Sequence, residues 1–162
     1  MEIMNLQLTR LSKITIADII ALHTDAQVIR HMPLAGGAFG EAECAAWVAD
    51  KERLWETHGY GPWAFLVDGR FAGWGGLQPE EGEADLALVL FPRYWGHGRT
   101  ICREIIKRAF GEMSLASITA LLPVSRVRTG GMRRLGFEVE GEVSLAGETF
   151  VRYRLRAQTW PG

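Results

Sequence analysis

Leu88-Val89-Leu90-Phe91-Pro92-Arg93-Tyr94-Trp95-Gly96-His97-Gly98-Arg99-Thr100 constrains the fold of this chain more than any other stretch. An apolar run that reads as a strand stops at Pro92, which lacks the N–H that strand pairing needs. Two glycines around a single residue follow, and an amphipathic helix opens at about Gly98. Glycines let the backbone turn sharply and gather several N–H groups towards one point. The first turn of the helix adds unpaired N–H groups and the positive end of its dipole. Strand, Gly-x-Gly and helix in this order suit a phosphate or pyrophosphate. A glycine-rich turn that binds nothing fits the same residues equally well, because short glycine motifs recur by chance.

The 162 residues are enough for one domain with a proper core, and 1–162 is read as a single domain. Hydrophobic residues make up 48% and charged residues 23%, the balance of an ordinary globular chain. A net charge of −1 argues against a dedicated nucleic-acid binder, which shows a basic excess. No apolar run is long enough for a membrane span. Met1 to Asn5 lacks the basic and apolar regions of a secretory signal, so a cytoplasmic location is expected. Cys44 and Cys102 fall on predicted helices, form no disulfide framework and are expected to be reduced. His23, His31, His58 and His97 are scattered without ligand spacing, so no metal site is expected.

Asn5 to Leu11 alternates apolar and polar residues, as a half-buried strand does. Thr15 and Asp18 form a helix-start pair, with Ile16, Ile19, Ile20 and Leu22 as the buried stripe. A short helix is expected from Asp25 to His31, then a loop at Pro33 and Gly36-Gly37. Glu41 to about His58 reads as a long helix. Cys44, Trp47, Val48, Leu54 and Trp55 lie inwards; Glu41, Glu43, Asp50, Lys51, Glu52 and Arg53 face water. Trp47 and Trp55 are expected on one core face, while Trp63, Trp74 and Trp95 either line an acceptor side or fill the sheet–helix interface. Trp63 to Val67 and Arg70 to Leu77 flank Asp68-Gly69, a strong hairpin signal. Glu83 to Phe91 is the next strand, and the helix after Gly98 buries Ile101, Cys102, Ile105, Ile106 and Ala109. A strand over 116–122, a short helix from near Thr129 to Leu135-Gly136-Phe137, and strands over 138–145 and 148–156 complete the chain. The main elements run β-α-α-β-β-β-α-β-α-β-β, a mixed sheet with interposed helices.

That order, with Arg93-x-x-Gly96-x-Gly98 between a strand and a helix, resembles the GNAT superfamily of N-acetyltransferases. The wording Pro92 to Gly98 is most similar to the branch containing the ribosomal-protein N-terminal acetyltransferases. Ile29-Arg30-His31-Met32, Arg134-Leu135-Gly136-Phe137 and Glu140-Gly141 agree, so the resemblance covers about residues 6–156. It implies an α/β (α+β) fold: a mixed, mostly antiparallel sheet of six to seven strands, flanked by about four helices. It implies acetyl-CoA as cosubstrate, with Gly96, His97, Gly98, Arg99 and Thr100 meeting the pyrophosphate and Arg93 and Trp95 beside them. Leu88, Val89 and Leu90 would lie on a strand that splays from its neighbour and holds the pantetheine arm. Free backbone groups there would polarise the thioester carbonyl.

The same resemblance implies direct attack by a primary amine of a small molecule or protein N-terminus. Such an amine is mostly protonated near neutral pH and must lose a proton. Asp85 stands where relatives often carry a glutamate, with Glu83 two residues away on the same strand face. Asp85 is the expected base; an ordinary pair of strand-start surface charges fits as well. Relatives often have an asparagine after the strand ending near Leu122, where Ser125 is closest, and a tyrosine at the position of Met132. Ser125 and Tyr94 are substitutes by position only. Arg126, Arg128, Arg133 and Arg134 form a basic stretch that either meets CoA phosphates or an acidic acceptor, or is simply solvated. The missing tyrosine and asparagine keep a second reading open, a non-catalytic acyl-CoA-binding or sensor domain. A dinucleotide fold is excluded because Ile101 replaces the third glycine and antiparallel hairpins flank the motif. Dimers are common among such proteins, so a homodimer is an open option.

Overall fold

The computed structural model describes residues 5–30, 32, 39–124 and 130–161. His31, Pro33, Gly36-Gly37, Ser125, Arg126, Arg128 and Thr129 lie outside the described residues. The alternation at the start of the chain gives β1 (Leu6–Thr9), shorter than the sequence pattern because buried Leu11 opens a 3-10 segment, Leu11–Lys13. Thr15 caps α1 (Ile16–His23), its hydroxyl accepting the Asp18 N–H at 3.3 Å. Ile19 and Leu22 are fully buried, but Ile16 is 37% exposed, so the stripe is narrower than expected. Next come α2 (Ala26–Arg30) and α3 (Glu41–His58). Glu43 reaches back to accept the Gly40 N–H at 2.9 Å, which satisfies a donor before the first turn of α3.

Then follow β2 (Pro62–Val67), β3 (Arg70–Glu80) and β4 (Glu83–Leu90). Asp68 and Gly69 take positive φ, as the tight hairpin requires. A 3-10 turn, Pro92–His97, leads into α4 (Gly98–Gly111). The remaining elements are β5 (Ser117–Pro123), α5 (Gly130–Arg134), β6 (Glu138–Leu145) and β7 (Glu148–Arg156). Helix α5 stops as expected: Gly136 is left-handed, and the Phe137 N–H donates to the Met132 carbonyl at 3.1 Å.

All seven strands form one sheet, ordered β1-β2-β3-β4-β5-β7-β6. The ladders are antiparallel except β4 with β5. One face packs α4 through Ile101, Ile105 and Ile106 onto Phe65, Leu86 and Ile118. The other face buries Leu11, Ile19, Leu22, Val28 and Cys44 against Ala64, Phe71 and Trp74. Trp47 packs on the second cluster and Trp55 on the first, so they do not share a core face. Trp55 instead anchors the end of α3, donating Nε1–H to the Pro62 carbonyl at 3.0 Å. Trp63 and Trp74 are buried in the interfaces, whereas Trp95 is 44% exposed.

Gly73 lies where β3 skips a register position against β2, and its φ is +152°. A Cβ there would fall onto the Val89 carbonyl oxygen and the Leu90 backbone. Glycine thus sets how closely β3 approaches β4. Gly73→Ala is expected to cost at least about 2 kcal/mol of stability, measured by urea unfolding. Among the described residues, no helix is long and apolar enough to cross a membrane, and no cluster of His, Cys, Asp or Glu is placed to hold a metal.

Candidate active site

Side chains of β4 alternate between the two clusters. Ala84, Leu86 and Leu90 pack with α4, while Ala87 and Val89 pack on the α1–α3 side. Period two puts Glu83 and Asp85 on the α1–α3 side as well. Strand β4 pairs with β5 at only two positions, Asp85 with Thr119 and Leu86 with Ala120. Beyond them the β5-facing edge of β4, from Ala87 to Leu90, has no ladder, although the same residues stay paired to β3. The two strands therefore part just past Leu86, one residue beyond Asp85. Leu88, Val89 and Leu90 lie along the opening, and the Trp95 Nε1–H donates to the Leu90 carbonyl at 2.9 Å.

Asp85 is 6% exposed, and the Thr119 hydroxyl donates to its Oδ1 at 2.7 Å. Burial pushes its carboxyl up to about 6, helped by the nearby Glu80 charge and offset by the Thr119 hydrogen bond and Arg152. Glu83, two residues away, has a different environment. Arg154 donates from two guanidinium nitrogens to its two oxygens, at 3.1 and 3.2 Å. Those bonds hold the Glu83 carboxyl below its ordinary value. Arg154 also donates to Ser117 Oγ at 2.8 Å and Glu140 at 2.7 Å, and Arg152 pairs with Glu81 at 2.6 Å. One carboxylate is thus committed to an ion-pair network, and its neighbour is buried and easily protonated. Pairs pushed apart in this way are characteristic of acid–base sites.

The glycine segment differs from the expected open loop. Pro92–His97 is a 3-10 turn, and the Gly98 N–H already donates to the Trp95 carbonyl. At least one donor expected for a phosphate is therefore used within the chain. Neither Gly96 nor Gly98 has positive φ, and Gly98 sits at φ −55°, an ordinary helical value. Their role is one of space: a Cβ at Gly96 would meet nothing within 4 Å, and one at Gly98 only Leu88 Cδ2 at 3.7 Å. The surface over the start of α4 is bare backbone. Arg93, Arg99 and Thr100 are exposed around it, and His97 is half-buried beside Tyr94.

Ser125 lies outside the described residues. Met132 packs half-buried against the α4-side core, and Arg133 and Arg134 face water. Tyr94 is also half-buried, stacked under the Arg93 guanidinium at 5.2 Å. Sequence reasoning missed Thr119, Arg154 and Lys51. Thr119 and Arg154 become neighbours of Asp85 and Glu83 only through strand pairing across more than thirty positions of chain. Lys51 had a local signal: it follows Trp47 by four residues and Cys44 by seven, on the inward stripe of α3. A shallow depression of about 470 Å³ lined by Leu6, Gln7, Leu8, Thr9, Leu66 and Arg108 lies along edge strand β1, away from these groups.

Comparisons with known proteins bear on the fold that carries these groups. No curated protein matches the sequence significantly. The acetyltransferase (GNAT family) from Bacillus anthracis superposes with a TM-score of 0.72 at 18% identity, covering 94% of this chain and 95% of that one. An acetyltransferase from Agrobacterium tumefaciens gives 0.71 at 15% identity, covering 93% and 90%. Spermidine N-acetyltransferase from Vibrio cholerae, solved with CoA and spermine, gives 0.76 at 11% identity, covering 98% of both chains. A family model described as an acetyltransferase (GNAT) domain matches residues 5–138, and this chain belongs to that family.

Proposed function

We propose that this protein is an acetyl-CoA-dependent N-acetyltransferase that moves the acetyl group directly to a primary amine, with Asp85 as the base. The observation that carries the reading is the position of Asp85, a buried carboxylate with a raised pKa where β4 and β5 part. At neutral pH it is ionised, yet a far better proton acceptor than an exposed aspartate. Thr119 fixes its orientation. The unladdered edge from Ala87 to Leu90 suits the amide-rich arm of CoA, and its N–H groups can polarise the thioester carbonyl. Gly96, His97, Gly98, Arg99 and Thr100 form the bare, basic-flanked surface for the pyrophosphate, with Arg93 and Trp95 at its side. Glu83 is the weaker candidate base, because Arg154 stabilises its charge. It holds Arg154 and keeps that face ordered.

The Vibrio cholerae enzyme, with CoA and spermine bound, supports CoA as the thiol and an amine as the acceptor. The wording of Pro92 to Gly98 favours the branch of the ribosomal-protein N-terminal acetyltransferases within the family. Buried, unpaired Cys44 and Cys102 fit a reducing, cytoplasmic setting.

Free thiol released from acetyl-CoA in the presence of a panel of primary amines tests the proposal, with acetyl-CoA binding measured separately by calorimetry. Binding together with amine-dependent thiol release is the expected result. Binding without release on any amine would make the protein a sensor, and absence of binding would overturn both readings.

A further inference from the structure

On the same sheet face as Asp85, His23 from α1, Phe39, Trp47 and Lys51 from α3, and Trp74 from β3 converge. The His23 ring lies edge-on to Phe39 and Trp47, each with a centroid separation of 4.7 Å, and Trp47 meets Trp74 at 5.1 Å. The Lys51 ammonium lies 5.5 Å from the Trp47 ring centre and 5.1 Å from that of Trp74. It donates to Gln78 Oε1 at 2.6 Å, and Gln78 is the direct cross-strand neighbour of Asp85.

This cluster has donors without acceptors. The Trp74 Nε1–H donates to His23 Nε2 at 3.0 Å, so that nitrogen holds a lone pair. Burial, with the Lys51 charge, lowers the His23 pKa to about 4, and the ring is neutral with its proton on Nδ1. Nδ1 is buried and, among the described residues, has no hydrogen-bond partner. Among the described residues no carboxylate pairs with Lys51, whose pKa is lowered by burial. Uncompensated buried cations and unmet N–H groups are costly, and indole faces offset only part of that cost.

We propose that Lys51 and His23 bind the carboxylate of the acceptor, so that the protein acetylates small amino carboxylates rather than polyamines. One ammonium and one imidazole N–H match the two oxygens of a carboxylate. The aromatic walls fit the methylene chain between the acid and the amine. At the other end of the face stands Asp85, with Glu80 near it, where an ammonium is welcome; Glu81 and Glu83 are held by Arg152 and Arg154. A second ammonium on the acceptor would face the Lys51 charge and be repelled.

The inference rests on the acetyltransferase reading and is tested beside it. kcat/KM is measured for γ-aminobutyrate, putrescine and butylamine, which match in length and differ in the far group. The wild type is expected to favour γ-aminobutyrate over putrescine by about tenfold or more, and Lys51→Met to reduce γ-aminobutyrate against butylamine by about ten- to a hundredfold. Lys51→Gln, which keeps a donor for Gln78, covers the case in which the methionine variant does not fold. Equal use of γ-aminobutyrate and putrescine, or an unchanged ratio in a folded variant, overturns the proposal. If no amine is acetylated, titration of tryptophan fluorescence with γ-aminobutyrate decides the matter, since Trp47 and Trp74 flank the ammonium. A response lost on removing the Lys51 charge upholds the carboxylate site without the enzyme, and no response in the wild type overturns it.

Discussion

Asp85→Asn is expected to lower kcat/KM for acetyl transfer by about a hundred- to ten-thousandfold while leaving acetyl-CoA affinity in place. Asparagine has nearly the same shape, and its Oδ1 can still accept from the Thr119 hydroxyl, so the opening between β4 and β5 should survive. Only the ability to take a proton is removed. In the wild type the acid limb of kcat/KM should fall at about 6, the value to which burial lifts this carboxyl. In the asparagine variant that limb should be absent. If Asp85→Asn retains full activity across the whole pH range, another group accepts the proton.

The same substitution has a second, opposite expectation. Asp85 binds its proton at about 6 in the fold, against 3.8 for an ordinary aspartate. Between those values the folded state holds more protons than the unfolded one, so stability falls as pH rises through the window. Above it, the ionised carboxylate costs on the order of 3 kcal/mol. Asp85→Asn should therefore raise stability at about pH 8 and make little difference at about pH 4, as read by urea unfolding. His23 acts in the other sense. Its pKa is lowered from 6.5 to about 4, so its contribution is present above 6.5 and is lost as pH falls through the window. Both proteins carry His23, and its effect cancels in the comparison. Lower activity with higher stability is the mark of a residue kept for chemistry.

Local pattern made the strands and helices legible: Thr15 with Asp18, Asp68-Gly69 and Leu135-Gly136-Phe137 each carry their own stop or start chemistry. The parting of β4 from β5 had no signature in the residues and came only through family resemblance. Pairing depends on which strands end up adjacent, and β5 lies a helix away along the chain. The candidate base was legible as a pair of carboxylates, but not which of the two is free. That difference comes from Arg154, seventy-one positions from Glu83, and from the burial of Asp85. Lys51 was assigned to water because lysine usually is; tertiary packing of Trp47 and Trp74 overrode that tendency. The glycine pair was read for its flexibility, whereas Gly96 and Gly98 have ordinary backbone angles and matter for what they leave empty.

That emptiness gives the sharpest separation of fold from ligand. Gly98→Trp is expected to abolish acetyl-CoA binding, a loss of about a hundredfold or more in Kd, without unfolding the protein. Gly98 has helical φ, so a side chain meets no backbone penalty there, and its Cβ would make only an ordinary contact with Leu88. Replacing a glycine within a helix by a better helix former even adds up to about 1 kcal/mol, most clearly for Gly98→Ala. The indole must instead occupy the bare surface between Leu88 and the start of α4, where a pyrophosphate would approach the backbone. Gly98→Ala should give a smaller loss of binding with a gain in melting temperature, and Gly96→Ala the same, as no atom lies near its Cβ position. Calorimetric titration with acetyl-CoA and a thermal melt of each variant check this. Opposite signs for affinity and stability place the cosubstrate on this helix start. Wild-type affinity in a folded Gly98→Trp protein would place it elsewhere.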